Sequence, residues 1–160
     1  MKKLIALFIL GFTLVSCEKN IGGVLIDTNV DLTFRDANGA DLLNPLASNA
    51  IKDDGLEVFV LKNGIKTRYY QANLDAPKSF KIFKEGDASY VMRFYFDILE
   101  ENFNGNTVTQ YLRYKDGSED MLVAEFNSNR KRNKVIQKVW INGVLRWSAG
   151  DGSAAIVVIK

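Results

Sequence analysis

The chain has 160 residues, 47% of them apolar and 25% charged, a composition that suits one globular domain with a short extension. Histidine is absent, which removes the Ser-His-Asp triad, the Cys-His pair and every His-ligated metal site. A single cysteine rules out an internal disulfide and a cysteine metal cluster. The formal charge of +2 resides in Lys2 and Lys3, and the even balance from Cys17 onward argues against a nucleic-acid partner.

Met1-Lys2-Lys3 forms a positive start, and Leu4 to Val15 is an apolar run interrupted only by Gly11 and Thr13. Twelve residues rise about 18 Å as a helix, too short for a hydrocarbon core of about 30 Å. The segment therefore reads as a signal peptide. Its end, Leu14-Val15-Ser16-Cys17, resembles a bacterial lipobox. That resemblance implies cleavage before Cys17, a diacylglycerol on its sulfur and an acyl chain on the new amine. Two or more acyl chains make such anchoring effectively permanent. The expected organisation is a signal peptide over 1–16, a lipidated tether over 17–23 and one domain over 24–160. Glu18-Lys19-Asn20 is similar in part to the surface-export tags of Bacteroidetes lipoproteins. The expected location is the outer membrane, facing the cell exterior, with the periplasmic face as the alternative.

Glycine punctuates the remainder. Nine glycines follow the tether, and seven of them come directly after Asn or Asp. Asn-Gly and Asp-Gly supply the positive φ that tight hairpin turns require. Val30, Leu32 and Phe34 alternate with Asp31, Thr33 and Arg35 as a first strand. Asn44-Pro45 is placed to cap one helical turn before Lys52. Leu56 to Lys62 and Ile65 to Gln71 flank Asn63-Gly64, with Val60 facing Thr67 and Val58 facing Tyr69 in a type I′ hairpin. Ser79 to Phe83 is a shorter run. Ser89 to Ile98, the strongest, places Tyr90, Met92, Phe94, Phe96 and Ile98 on one face and belongs inside a sheet. Asn106 to Tyr114 and Asp120 to Phe126 flank Asp116-Gly117. Lys134 to Ile141 and Val144 to Ser148 flank Asn142-Gly143, and Ala154 to Ile159 closes the series.

Short strands separated by turn signals, without long amphipathic helices, predict an all-β fold, an antiparallel β-sandwich of about eight or nine strands. A lipocalin-like barrel is the alternative, disfavoured because Trp140 and Trp147, the only tryptophans, both lie late in the chain. The layout as a whole resembles a group of small Bacteroidetes surface lipoproteins. The resemblance is carried by the lipobox, by Asn38-Gly39-Ala40-Asp41-Leu42-Leu43-Asn44-Pro45 and by Lys138-Val139-Trp140-Ile141-Asn142-Gly143-Val144-Leu145-Arg146-Trp147. It implies a β-sandwich on an outer membrane and no particular activity.

No nucleophile elbow, phosphate loop or dinucleotide fingerprint occurs. Asp116-Gly117-Ser118-Glu119-Asp120 and Asp36-Ala37-Asn38 lack the remaining positions of a calcium loop and read as turns. Asp53-Asp54 and Glu100-Glu101 are adjacent pairs, which do not converge on a substrate as an acid and a nucleophile must. The sequence thus points to a chain without catalytic activity, cofactor or metal. Two functions remain: a ligand-binding module, with extracellular glycan as the ligand, or an assembly protein that binds a neighbouring membrane protein. Candidate ligand contacts are Trp147 and the basic run Arg130, Lys131 and Arg132. A regular hairpin puts Trp140 opposite Leu145 and Trp147 opposite Lys138, both rings on one face with Ile136. Trp140, beside the tight turn, is expected in the core, and Trp147 is expected to be partly exposed.

Overall fold

The structure, a computed structural model, describes residues 24–86, 89–127 and 133–160. The expected signal peptide, Cys17 and its tether lie outside the described residues, and so do Arg130, Lys131 and Arg132. Twelve strands are present among the described residues: β1 (Ile26–Asp27), β2 (Asn29–Arg35), β3 (Glu57–Lys62), β4 (Ile65–Tyr69), β5 (Phe80–Glu85), β6 (Ser89–Tyr95), β7 (Phe103–Asn104), β8 (Thr107–Arg113), β9 (Glu119–Phe126), β10 (Lys134–Ile141), β11 (Val144–Ser148) and β12 (Ala155–Ile159). They form two sheets. The larger runs β1-β10-β9-β8-β3-β4, with β11 also on β10 and β7 also on β8. The smaller runs β12-β2-β6-β5. Both paths are open, so the fold is a sandwich and not a closed barrel.

The alternation read from the sequence is the alternation of burial. Val58 and Val60, Val108 and Leu112, Leu122, Ala124 and Phe126 point inward from the larger sheet. Val30, Leu32, Phe34, Met92, Phe94, Ile156 and Val158 meet them from the smaller one, and all of these but Val60 join one core cluster. Each large apolar side chain so buried contributes about 1.5–3 kcal/mol. The Asn63-Gly64 turn has φ values of 49° and 79°, the type I′ pattern, and it sets Val60 opposite Thr67 and Val58 opposite Tyr69 as expected. β6 lies inside its sheet, between β2 and β5.

Three expectations are corrected. The sheets are mixed rather than wholly antiparallel, because β1 pairs with β10 and β12 with β2 in parallel. Both parallel pairs join strands far apart in sequence, where no hairpin dictates direction. The strand count exceeds eight or nine partly because β1 and β7 are two-residue pieces too short for an alternation to register. Asn44 caps no helix. Its side chain and carbonyl accept the Leu46 and Ala47 N–H groups in a turn, at 3.0 Å each, and the helical turn is a 3-10 segment at Asp53–Gly55.

Candidate binding site

The tryptophans lie on opposite faces of the larger sheet. Two bulges cause this. In β10, Gln137 is unmatched where the register to β9 passes from Ile136–Phe126 to Lys138–Glu125. In β11, Arg146 is unmatched where the register to β10 passes from Val139–Trp147 to Trp140–Leu145. Each extra residue inverts the alternation beyond it. Val139 is therefore buried together with Ile136, and Trp147 stands opposite Val139 instead of Lys138. Trp147 packs against the core, whereas Trp140 is half-exposed on the outer face. The expected assignment of Trp140 to the core is thus overturned.

On the outer face of the larger sheet, three aromatic rings carry cations of the same face. Lys66 stacks on the Tyr111 ring at 3.7 Å, Arg113 on Phe59 at 4.0 Å and Lys138 on Trp140 at 6.0 Å. Those cations are neutralised in turn. Glu119 holds Lys66 and Arg113, Glu57 holds Arg68, and Glu125 faces Lys138. A sugar would have to displace a stacked cation, and an anion would find each charge already paired.

Trp147 lines a hollow of about 320 Å³ with Asp27, Asn29, Asp31 and Ser153. Its indole N–H already donates to the Gly152 carbonyl at 3.3 Å. Asp31 is held by Arg93 through two 2.8 Å bonds.

A hollow of about 600 Å³ opens at one end of the sandwich among Leu42, Ile51, Lys52, Tyr114, Lys115 and Lys160. Size makes such a cleft the usual first choice for a site, but most of its polar groups serve the fold. Asp36 closes the β2 turn by accepting the Asn38 and Ala40 N–H groups, and Asp116 accepts the Ser118 N–H and hydroxyl. Behind the cleft, buried Asp120 accepts from Lys160 Nζ at 2.6 Å, Tyr114 Oη at 2.6 Å and Asn142 Nδ2 at 2.9 Å. Burial alone would raise the Asp120 pKa, but these donors outweigh it and hold the carboxyl below its ordinary value. The Tyr114 hydroxyl is driven well above its usual range, first by burial and then by the neighbouring carboxylate. Lys160 also covers the Tyr114 ring at 4.1 Å. The perturbed groups stabilise one another and present no free aromatic surface.

A third region differs in this respect. Two adjoining hollows of about 470 and 550 Å³ share Asp75, Lys81 and Tyr95 on the outer face of the smaller sheet, where residues 70–79 form a wall. Tyr69, Asn73 and Leu74 line one hollow; Asp53, Phe83 and Arg93 line the other. Ser79 pins the wall to β6. Its hydroxyl donates to the Tyr95 carbonyl at 2.7 Å and its own carbonyl accepts the Tyr95 N–H at 2.8 Å. To do so Ser79 takes φ of 66°, a left-handed conformation that costs a serine of order 1–3 kcal/mol. The Tyr69 hydroxyl, raised in pKa first by burial and next by Asp97, is hydrogen-bonded to the same serine. Asn73, Asp75 and Lys81 are exposed, and among the described residues none has a side-chain hydrogen bond or ion pair. Tyr95 is half-exposed, and no cation of the described residues lies over its ring.

Sequence reasoning missed this groove. Tyr95 was legible only as the reverse face of a central strand, and nothing local showed that a loop folded beside it. Among the described residues no three acidic or cysteine side chains converge as metal ligands. No helix of the described residues is long and apolar enough to cross a membrane. No family model, no curated protein and no solved structure matches the chain.

Proposed function

We propose that this chain is a non-catalytic ligand-binding module carried on the outer membrane by lipid at Cys17 and facing the cell exterior, and that its groove around Tyr95 takes a neutral glycan. The observation that carries the reading is the Tyr95 ring beside Asn73, Asp75 and Lys81, whose side chains have no partner among the described residues. A flat ring stacks on the apolar face of a pyranose, while an amide, a carboxylate and an ammonium supply acceptors and donors for ring hydroxyls. Small-ligand sites share this make-up, with apolar walls and a few oriented polar groups. The anchor rests on the lipobox-like ending of the signal segment, and the outward orientation rests on Glu18-Lys19-Asn20.

Affinity electrophoresis of the full chain through gels containing soluble neutral polysaccharides tests the groove. At least one polysaccharide is expected to retard the wild-type chain, with retardation lost in Tyr95→Ala and kept in Trp140→Ala. Retardation by none, or equal retardation of Tyr95→Ala, would overturn the assignment. Labelling cells with a fatty-acid analogue tests the anchor separately. Label on the wild-type chain and none on Cys17→Ser is expected, and protease applied to intact cells should remove the domain. An unlabelled wild-type chain would refute lipidation, and protection until lysis would place the domain on the periplasmic face.

A further inference from the structure

Among the described residues the smaller sheet ends on β12, and no strand lies beyond it. The Asp31 N–H donates to the Ala154 carbonyl and the Lys160 N–H to the Arg35 carbonyl, each at 2.9 Å, which fixes the phase of the parallel ladder. Residues 154, 156, 158 and 160 therefore bond β2, and the peptide groups of Ala155, Val157 and Ile159 point away from the sheet. No described strand pairs with them.

Sheet edges in folded proteins are normally blunted by charge, proline, bulges or brevity. The other edges here follow that rule. β5 carries Lys81, Lys84 and Glu85, and β4 carries Lys66 and Arg68. β11 is bulged at Arg146, and β1 has two residues. β12 has none of these devices. It is Ala-Ile-Val-Val-Ile in unbroken register, with Val157 54% and Ile159 62% exposed. The ammonium of Lys160, the next residue in the chain, is drawn away to Asp120, and Asp31 and Arg35 stand beside Ala155 and Ile159 on β2, away from the open edge.

We propose that two copies of this chain pair antiparallel through β12 about a two-fold axis at Val157. The strand is complementary to itself. In that register Val157 meets Val157 of the partner subunit, and Ala155 meets Ile159 of the partner subunit, small against large, with no charge opposite an apolar side chain. Three outward-facing residues on each copy form about six backbone hydrogen bonds. Pairing β12 with β4 or β5 of another copy would instead set Val157 and Ile159 beside lysines and an arginine. The contact is therefore isologous and closes at two. A single strand pair buries far less than the roughly 800 Å² per partner of a stable complex, so the dimer is reversible and gains from confinement on a surface. An axis normal to the sheet turns both outer faces the same way. Two Tyr95 grooves would then face one ligand array, a consequence that rests on the glycan reading although the pairing itself does not.

Cysteine cross-linking of the full chain in a Cys17→Ser background tests the register. Val157→Cys is expected to form a disulfide dimer under mild oxidation, since facing Cα atoms in a bonded antiparallel pair lie about 5.5 Å apart. Ala155→Cys and Ile159→Cys are each expected to stay monomeric alone, because like positions lie about 13 Å apart along the strands, and to cross-link when mixed. In sedimentation of the otherwise unaltered chain, Val157→Lys should weaken association about tenfold, because two lysines would face each other. Val157→Cys that remains monomeric with native circular dichroism would overturn the proposal, as would cross-linking without positional preference. Capture of another protein's strand at Val157→Cys, without the dimer, would overturn it too.

Discussion

Asp120 is the sharpest test of the physical reading of the core. Its side chain is 7% exposed and accepts three hydrogen bonds, from Lys160, Tyr114 and Asn142, which tie β12, the β8–β9 turn and the β10–β11 turn together. Asp120→Asn keeps the shape, removes the charge and sets an amide N–H₂ against at least one of these donors. Breaking a buried ion pair typically costs about 3–5 kcal/mol. Lys160 is 29% exposed, so water resolvates part of its charge, and a loss of roughly 2–3 kcal/mol is expected. For a domain of this length each kcal/mol moves the melting temperature by about 3–4 °C, so the variant should melt roughly 7–10 °C lower at pH 7. The pH dependence adds a second reading. The folded carboxyl is more acidic than its ordinary value of 3.8, so its contribution is complete above about pH 4 and disappears as pH falls through the depressed value. Calorimetry on the full chain should show the gap between wild type and variant narrowing below about pH 4. A gap under about 2 °C at pH 7, or one constant down to pH 3, would refute the network as drawn.

Three further substitutions examine the bulges and the turn. Trp147→Ala should cost about 2–4 kcal/mol, because the ring packs on the core, whereas Trp140→Ala on the cation-covered outer face should cost about 1 kcal/mol. Chemical denaturation of the two variants checks this, and the reverse order would mean that the bulges at Gln137 and Arg146 are misplaced. Gly64→Val should destabilise by about 1–3 kcal/mol through backbone strain alone, since a Cβ there would meet nothing within 4 Å. An unchanged melting temperature would show that the hairpin does not use this turn.

The parts of the fold legible in the sequence are those fixed over short distances. Asn63-Gly64 sets its own register, so Val58–Tyr69 and Val60–Thr67 follow from a two-residue loop and the pleat. The β10–β11 hairpin begins on the same chemistry, yet two unmatched residues, Gln137 and Arg146, carry no signal in a sequence that still reads as regular alternation. They put Trp140 and Trp147 on opposite faces of the sheet. The parallel placement of β12 was equally hidden, because it depends on where the chain re-enters after leaving the larger sheet. The groove depends on contacts between residues 70–79 and β6, and its one local mark, a serine at positive φ, is a residue type that gives no warning of it.

The central claim, that ligand meets the chain at Tyr95, is tested most directly by nuclear magnetic resonance of the full chain titrated with oligosaccharides cut from a retarding polysaccharide. Shifts are expected to concentrate at Tyr95, Asn73, Asp75 and Lys81 and to spare the end cleft. Shifts gathered instead at Leu42, Ile51, Lys52 and Tyr114, or no shifts at all, would contradict the account.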